Sequence, residues 1–254
     1  MPTVDKLPCG HATPGSSSAD VTLARRAVAE GVGTAMLLGA IVGSGIMAQR
    51  LAGGNVAIAL LANTIAIGGA LIALILAFGS ISGAQFNPAI TVVDAMLGGL
   101  PWREVAPYIT AQVGGAIVGV AAANTMFGEP LLFVSHRFRG GANLVFSEFV
   151  ATFGLVIVVW TCTRFQPART PFAVAAYIVA AYWFTASTSF ANPAVTIAQS
   201  LSDTFAGISP ANVPGFIVGE LLGTLVATAL FAWLAPRSAC HAPRVVVPVG
   251  DAAE

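Results

Sequence analysis

The chain has few charged residues, and this shortage argues against most classes of soluble protein. Asp, Glu, Lys and Arg make up only 9% of the 254 residues, and their formal charges cancel at pH 7. Soluble domains carry roughly 25% charged residues. The chain also lacks a cluster of basic residues, which nucleic-acid-binding proteins use to neutralise phosphates. We therefore expect no nucleic-acid partner.

Residues suited to metal binding or catalysis are equally scarce. The chain has three histidines, all in tails or a connection, and three widely spaced cysteines. They are His11, His136, His241, Cys9, Cys162 and Cys240. No Cys-x-x-Cys or Cys/His pattern typical of a metal site occurs. We expect free thiols, no metal, no cofactor and no enzymatic activity.

Apolar sequence is what the chain has in abundance. Hydrophobic residues make up 56% of it, and a membrane-spanning helix needs about 20 predominantly apolar residues. We predict an all-α membrane protein with six spans, near residues 24–48, 55–79, 104–127, 143–163, 171–188 and 213–235. Residues 1–23 are expected to be a disordered cytoplasmic tail without the apolar core of a signal sequence. Residues 236–254 should form a second cytoplasmic tail.

One tripeptide occurs twice, as Asn87-Pro88-Ala89 and as Asn192-Pro193-Ala194. Asn is a favoured N-cap and Pro fits the first helical turn, so each copy predicts the start of a helix. The segments that follow, about 87–97 and 192–201, are too short to cross a bilayer. They are predicted to be half-helices entering from opposite sides. Non-helical backbone survives at membrane depth only when it is buried in protein or lines a water-filled cavity, so a cavity is expected.

The repetition extends to the two halves of the chain, about 24–127 and 143–235. Glu30 at the start of the first span corresponds to Glu148 in the fourth span. Gln112 of the third span corresponds to Glu220 of the sixth. Each half holds three spans and one half-helix. Because three is odd, the second half must insert upside down, which is the inverted-repeat architecture of many transport proteins.

The basic residues predict the orientation in the membrane. Cytoplasmic connections carry an excess of Lys and Arg. With both termini inside, eight basic residues are cytoplasmic: Lys6, Arg25, Arg26, Arg103, Arg164, Arg169, Arg237 and Arg244. Three face outward: Arg50, Arg137 and Arg139. The predicted location is a bacterial inner membrane, with both termini in the cytoplasm.

Given these motifs, the chain resembles the aquaporin (major intrinsic protein) family over about residues 24–235. The resemblance rests on the two Asn-Pro-Ala motifs and on five shorter segments: Ala29-Glu30, Gly33-Thr34, Ser82-Gly83-Ala84, Ala111-Gln112 with Gly115-Ala116, and Ser147-Glu148-Phe149. It implies an aquaporin-like inverted repeat of six spans and two re-entrant half-helices. It also implies a passive channel for water and small neutral solutes, embedded in lipid and assembled as a homotetramer.

The residues themselves suggest how such a channel excludes protons. Two half-helices that meet by their N-termini direct positive dipole ends at the pore centre, which opposes cations. Asn87 and Asn192 can each present an amide donor to the lumen, and backbone carbonyls of about 83–86 and 188–191 should supply acceptors. A water molecule held by both donors points its hydrogens outward and interrupts a proton wire.

The acidic residues are expected to be structural. Glu30 and Glu148 should accept hydrogen bonds from the re-entrant loops and hold them in place. A proton-relay role is the alternative, because intramembrane carboxylates are costly and usually functional. We expect Glu220 to lie near the end of a helix. Asp94 and Asp203 are expected in a solvated vestibule or loop, at or beyond the ends of the half-helices.

The selectivity constriction departs from the family pattern. Most relatives place Arg directly after the second motif, where this chain has Val195. An ungapped alignment on the motifs assigns the other three positions to Ile67, Ala180 and Ser189. None of the four is aromatic or charged, so a constriction that is wider and less polar than usual, and uncharged, is expected. The alternatives are that another side chain fills the space, or that the alignment is shifted by one residue in the second or fifth span.

This constriction suggests glycerol-like polyols as substrates. A bacterial branch of the family associated with arsenic resistance also has an aliphatic residue in place of the Arg, so arsenous acid is a further candidate. The rival hypothesis is an ion- or proton-coupled secondary transporter, since inverted repeats with broken helices also occur there. Coupling would need a titratable group facing the pore, such as Glu220 or Asp94.

Overall fold

The computed structural model describes residues 21–235. They form eight α-helices: α1 (Leu23–Leu51), α2 (Val56–Ser82), α3 (Pro88–Met96), α4 (Trp102–Met126), α5 (Ala142–Phe165), α6 (Thr170–Phe184), α7 (Pro193–Gln199) and α8 (Val213–Leu234). Short 3-10 turns at Pro167–Arg169 and Pro210–Asn212 precede α6 and α8. The predicted all-α fold is confirmed.

Five of these helices, α1, α2, α4, α5 and α8, are long and apolar enough to cross a membrane. The fifth predicted span, near residues 171–188, ends earlier than expected. Helix α6 has 15 residues and stops at Phe184 rather than at residue 188. A turn at residues 185–187 follows it, and a non-helical segment then leads into α7. The two half-helices, α3 and α7, have nine and seven residues.

Small residues let the long helices cross closely, in the same way in both halves. A Cβ atom on Gly115 of α4 would lie 2.1 Å from the carbonyl oxygen of Gly31 on α1. A Cβ atom on Gly219 of α8 would lie 2.4 Å from the carbonyl oxygen of Val145 on α5. Membrane helices associate through such close backbone packing, because lipid provides no hydrophobic drive between them. The α1–α4 and α5–α8 pairs therefore correspond across the repeat.

The bundle has two ends, which we call the termini face and the loop face. The termini face holds the start of α1, where Arg26 pairs with Glu104 at 2.7 Å. It also holds the end of α8, where Arg164 donates to the carbonyl of Ala235 at 2.6 Å. The loop face holds the connections 127–141 and 200–212, which are joined by the backbone bond from Phe133 to Leu201.

The half-helices enter from these opposite faces. The last turn of α3 lies at the termini face, where Leu97 shares a crevice with Ala235. The end of α7 lies at the loop face, beside the 127–141 connection. The predicted opposite entry of the two half-helices is confirmed, and their N-termini meet in the middle of the bundle.

Candidate functional site

The two Asn-Pro-Ala motifs contact each other at the centre of the molecule. Asn87 Nδ2 donates to the carbonyl of Ala191 at 2.8 Å, and Asn192 Nδ2 donates to the carbonyl of Phe86, also at 2.8 Å. The side-chain oxygens cap the half-helices by accepting from Ala89 N and Ala194 N. Each amide has two donor hydrogens. One is used across the interface, which leaves the second for the cavity that both side chains line.

The loops before the motifs have an unusual backbone. Four residues that are not glycine have positive φ angles near 50°, and they alternate in both halves: Ala84, Phe86, Ser189 and Ala191. Such angles are uncommon outside glycine and persist only where the surroundings impose them. The loops are therefore held in place from outside, and buried acidic side chains hold them.

Glu30 holds the first loop. Its Oε1 accepts from Ser82 Oγ at 2.6 Å and from Gln85 N at 3.0 Å, and its Oε2 accepts from Phe86 N at 2.6 Å. Gln112 Nε2 donates to the same carboxylate at 2.8 Å. The carboxylate is fully buried. Burial of a charge is offset only by such complete hydrogen bonding, and these bonds position the loop.

Two acids hold the second loop. Glu148 accepts from Phe190 N at 3.0 Å and from Ala191 N at 2.7 Å. Glu220 Oε1 accepts from Asn192 N at 3.1 Å and from Thr196 Oγ1 at 2.6 Å. Glu220 lies in the middle of α8 and is fully buried, so its expected place near a helix end is wrong. The sequence missed this contact because Glu220 approaches the motif only when α8 packs on α7.

The two aspartates differ from each other. Asp94 is buried within α3 and accepts from Gln85 Nε2 at 2.7 Å, so its expected solvated position is wrong. Asp203 lies in the loop after α7, as expected. The His136 backbone N–H donates to Asp203 at 2.9 Å and keeps the pKa of that carboxyl below its usual range. This contact joins the two long connections of the loop face.

A narrow cavity of about 70 Å³ runs past the motifs. A water molecule needs roughly 10–15 Å³ of such space, so the cavity fits a short single file. Its walls are mostly aliphatic, from Leu37, Ile41, Ile67, Leu71, Ile75, Ile90, Leu155, Val159, Val174, Ile178 and Val195. Polar atoms come from few positions, among them Asn87, Asn192 and Ser189. Ser189 Oγ is buried and has no hydrogen-bond partner among the described residues.

Three of the four predicted constriction residues line this cavity: Ile67, Ser189 and Val195. Ala180 does not; it lies on the exposed face of α6, and its assignment is wrong. Helix α6 instead presents Val174, Ile178 and Tyr182 to the cavity, at a spacing of four residues. Ala180 is two residues from Ile178 and from Tyr182, which is about 200° around a helix.

The comparisons with known proteins agree with this geometry. A model of the major intrinsic protein family matches residues 17–170, more than half of the chain. The chain belongs to this family. Its members are channels, so the protein is a membrane channel and not an enzyme.

Individual relatives within the family differ in how much of the chain they match. The aquaglyceroporin AqpS of Rhizobium meliloti (strain 1021) is 51% identical over 212 residues, which cover 84% of this chain and 91% of that protein. The glycerol uptake facilitator protein of Bacillus subtilis (strain 168) is 56% identical over 43 residues, 17% of this chain and 16% of that protein. An X-ray structure of the aquaglyceroporin from Plasmodium falciparum has a TM-score of 0.63 at 19% identity. It covers 83% of this chain and 96% of its own, and it shows the shared fold.

In this family member two aromatic side chains line the cavity, and an arginine lies against one of them. Tyr182 and Phe190 line the cavity. Arg139, from the 127–141 connection, lies over the Phe190 ring at 5.3 Å from its centre. The cavity therefore has aromatic residues in its wall that the four assigned positions lack, whereas no charged residue of the described chain lines it. The sequence gave no means to single out Arg139, which shares the 127–141 connection with Arg137 and belongs to no recognisable motif.

Proposed function

We propose that the protein is a passive channel for water and small uncharged solutes of about glycerol size. The observation that carries the proposal is the meeting of two Asn-capped half-helices at a narrow cavity with aliphatic walls. Such walls give a charged solute nothing to replace its hydration shell, whereas a polyol or water can bond to the few polar atoms. The names of the relatives, an aquaglyceroporin and a glycerol uptake facilitator, support the same solute class.

Proton exclusion follows from the same arrangement. The N-termini of α3 and α7 both point at the cavity centre, so their positive dipole ends raise the energy of a cation there. The spare amide hydrogens of Asn87 and Asn192 can orient a passing water as a double acceptor. A water held in that way cannot relay a proton through the file.

Arsenous acid is a candidate solute because it is neutral and presents three hydroxyl groups, as glycerol does. Val195 lines the cavity in place of the usual Arg, which removes one long side chain from the file. We further propose that the termini face is cytoplasmic, in a bacterial inner membrane, and that the protein assembles as a homotetramer. The orientation rests on the distribution of Lys and Arg.

The coupled-transporter alternative gains no support. Among the described residues, no Asp, Glu, His, Lys or Arg lines the central cavity. Glu220 and Asp94, the two acids that coupling would use, are engaged with Thr196 and Gln85 instead. A substrate-coupled protonation would need one of them to face the lumen.

The test is a stopped-flow comparison in proteoliposomes. Water flux is driven by a gradient of an impermeant, uncharged osmolyte. The flux of glycerol, urea or arsenous acid is driven by a gradient of that solute. Each measurement is made without any ion gradient, once with and once without a protonophore. We expect rapid water and glycerol flux that the protonophore does not change. Flux that requires a proton gradient would support the transporter, and water-only flux would exclude the polyol assignment.

A further inference from the structure

We propose that Arg139 supplies the filtering guanidinium of this channel, from the loop-face connection rather than from the second motif. The proposal rests on the proposed function and names the residue that restricts solutes at one mouth of the same pore. In this arrangement position 195 can be the aliphatic Val195, because Arg139 takes the role that the arginine after the second motif has in most relatives.

Arg139 is anchored in a built site. Its Nε donates to the carbonyl of Gly207 at 2.8 Å, and its Nη2 donates to the carbonyl of Phe205 at 3.4 Å. Its Nη1 donates to the carbonyl of Ser187 and to Thr188 Oγ1, both at 3.3 Å. A guanidinium has five N–H donors. These bonds to described residues use four of them, so one donor is left for water or a solute.

The position of Arg139 is at the mouth of the pore. It lines an outer cavity of about 210 Å³ together with Tyr182 and Thr188. Tyr182 also lines the central cavity, so it forms the wall between the two spaces. Ser189 and Phe190, the residues that follow Thr188, line the central cavity as well. A solute that enters from the loop face through the outer cavity therefore passes the guanidinium.

The backbone at Thr188 provides independent evidence. In the first loop the equivalent position is Gly83, four residues before its motif, with φ of 95°. In the second loop it is Thr188, with φ of 64°. A β-branched residue in this region is a genuine outlier, where glycine would be unstrained. Thr188 is the residue whose hydroxyl accepts from Arg139, so the strain accompanies the anchoring of the arginine.

The consequence is a filter of size and charge. The guanidinium repels cations and narrows the mouth, while its remaining donor can still pass water. Removing it should admit larger solutes and some cations without changing the centre of the pore. A purely structural role of Arg139 would lower the flux of every solute by the same factor and leave the ratios unchanged.

The test uses the full-length protein in proteoliposomes and compares four variants with the wild type. Arg139→Gln removes the guanidinium. Thr188→Gly removes one anchor while relieving the backbone strain. Arg50→Gln is the matched control, because it removes an equal charge from an exposed ion pair with Glu129 on the same face. The double variant Arg139→Gln with Val195→Arg returns a guanidinium from the usual position.

We expect Arg139→Gln to raise the ratio of glycerol to water permeability several-fold and to open a potassium leak. Thr188→Gly should shift the ratio in the same direction but less, with an unchanged or higher melting temperature. Arg50→Gln should leave the ratio unchanged, and the double variant should lower it again. Potassium leak is read from the same vesicles with a voltage-sensitive dye.

An Arg139→Gln channel that folds and conducts with an unchanged or lower ratio would overturn the inference. So would a Thr188→Gly variant that keeps the wild-type ratio while Arg139→Gln merely fails to fold. A wild type that conducts neither water nor glycerol would contradict the proposed function instead, and that result is distinct.

Discussion

The two halves of the bundle solve the same problem with different side chains. In the first half one carboxylate, Glu30, is completed by the amide of Gln112, which also donates to Thr91 at 2.9 Å. In the second half two carboxylates, Glu148 and Glu220, share the loop, and Thr196 donates to Glu220. An acid at 220 thus replaces an amide, which adds a second buried carboxylate and loses an amide donor.

The difference shows which parts of the repeat are constrained. The loop backbone and the motif caps correspond residue by residue, whereas the supporting side chains do not. Glu220 Oε2 is buried without a partner among the described residues, and Thr188 replaces a glycine at a strained angle. Both departures lie in the second half, on the side that carries Arg139. The second half therefore carries the specialised features of the repeat.

The largest expected effect comes from removing the acids that hold the loops. Glu30→Leu leaves the N–H groups of Gln85 and Phe86, the Ser82 hydroxyl and the Gln112 amide without their acceptor. Each unsatisfied buried donor costs about 1–3 kcal/mol, and the sum approaches a typical folding stability. We expect little folded protein, measured as monodisperse yield and melting temperature in detergent.

Glu148→Leu should be damaging but less so, because Glu220 still holds Asn192 in the second loop. Glu148→Gln and Glu30→Gln are the matched controls; each keeps one acceptor oxygen and should retain partial function. Normal yield and conductance of the Leu variants would contradict the loop-holding role.

The next largest effect tests the central barrier. Asn192→Asp replaces the donor to the Phe86 carbonyl with an acceptor and adds a negative charge against two helix N-termini, which offsets their field. We expect reduced water flux and a new cation leak. Asn87→Asp should show the same change in weaker form. Asn192 already lies beside the Glu220 carboxylate, so the new negative charge adds to an existing one. In the first half the corresponding side chain is the neutral amide of Gln112. The measurement is potassium leak and water flux in matched proteoliposomes. Equal selectivity of Asn192→Asp and the wild type would refute the barrier.

A smaller effect is expected at the residue that follows each motif. Ile90 and Val195 occupy this position in the two halves, and both line the cavity. Val195→Arg puts a long cationic side chain into a file that admits a single row of water, so the ratio of glycerol to water permeability should fall. Val195→Leu adds volume without charge or donors and is the control. If the wild type already passes water alone, the ranking of solutes proposed here is wrong.

The sequence predicted features that depend on neighbouring residues, but it did not predict contacts between segments that are far apart in the chain. The half-helices were predictable, because Asn caps and Pro at the first turn act locally, and the repeat placed Glu30 and Glu148 near the loops. Ala180 was misplaced because an apolar helix such as α6 has no polar face to fix its rotation. Glu220 and Arg139 reach the site only through packing of distant segments, and no local pattern records that packing.

The smallest effect should come from making the second half resemble the first at position 220. In Glu220→Gln the remaining side-chain oxygen can still accept from Asn192 N and Thr196 Oγ1. The new amide replaces the oxygen that is buried without a partner, and one of two buried carboxylates is removed. Because a buried charge is costly unless fully bonded, we expect folding and water flux close to wild type, with an equal or higher melting temperature.

The reciprocal change, Gln112→Glu, should be clearly destabilising, since Glu30 loses its amide donor and gains a like charge. If Glu220→Gln instead abolishes flux while Gln112→Glu is tolerated, the carboxylate at 220 has a role in conduction that the supporting hydrogen bonds do not explain.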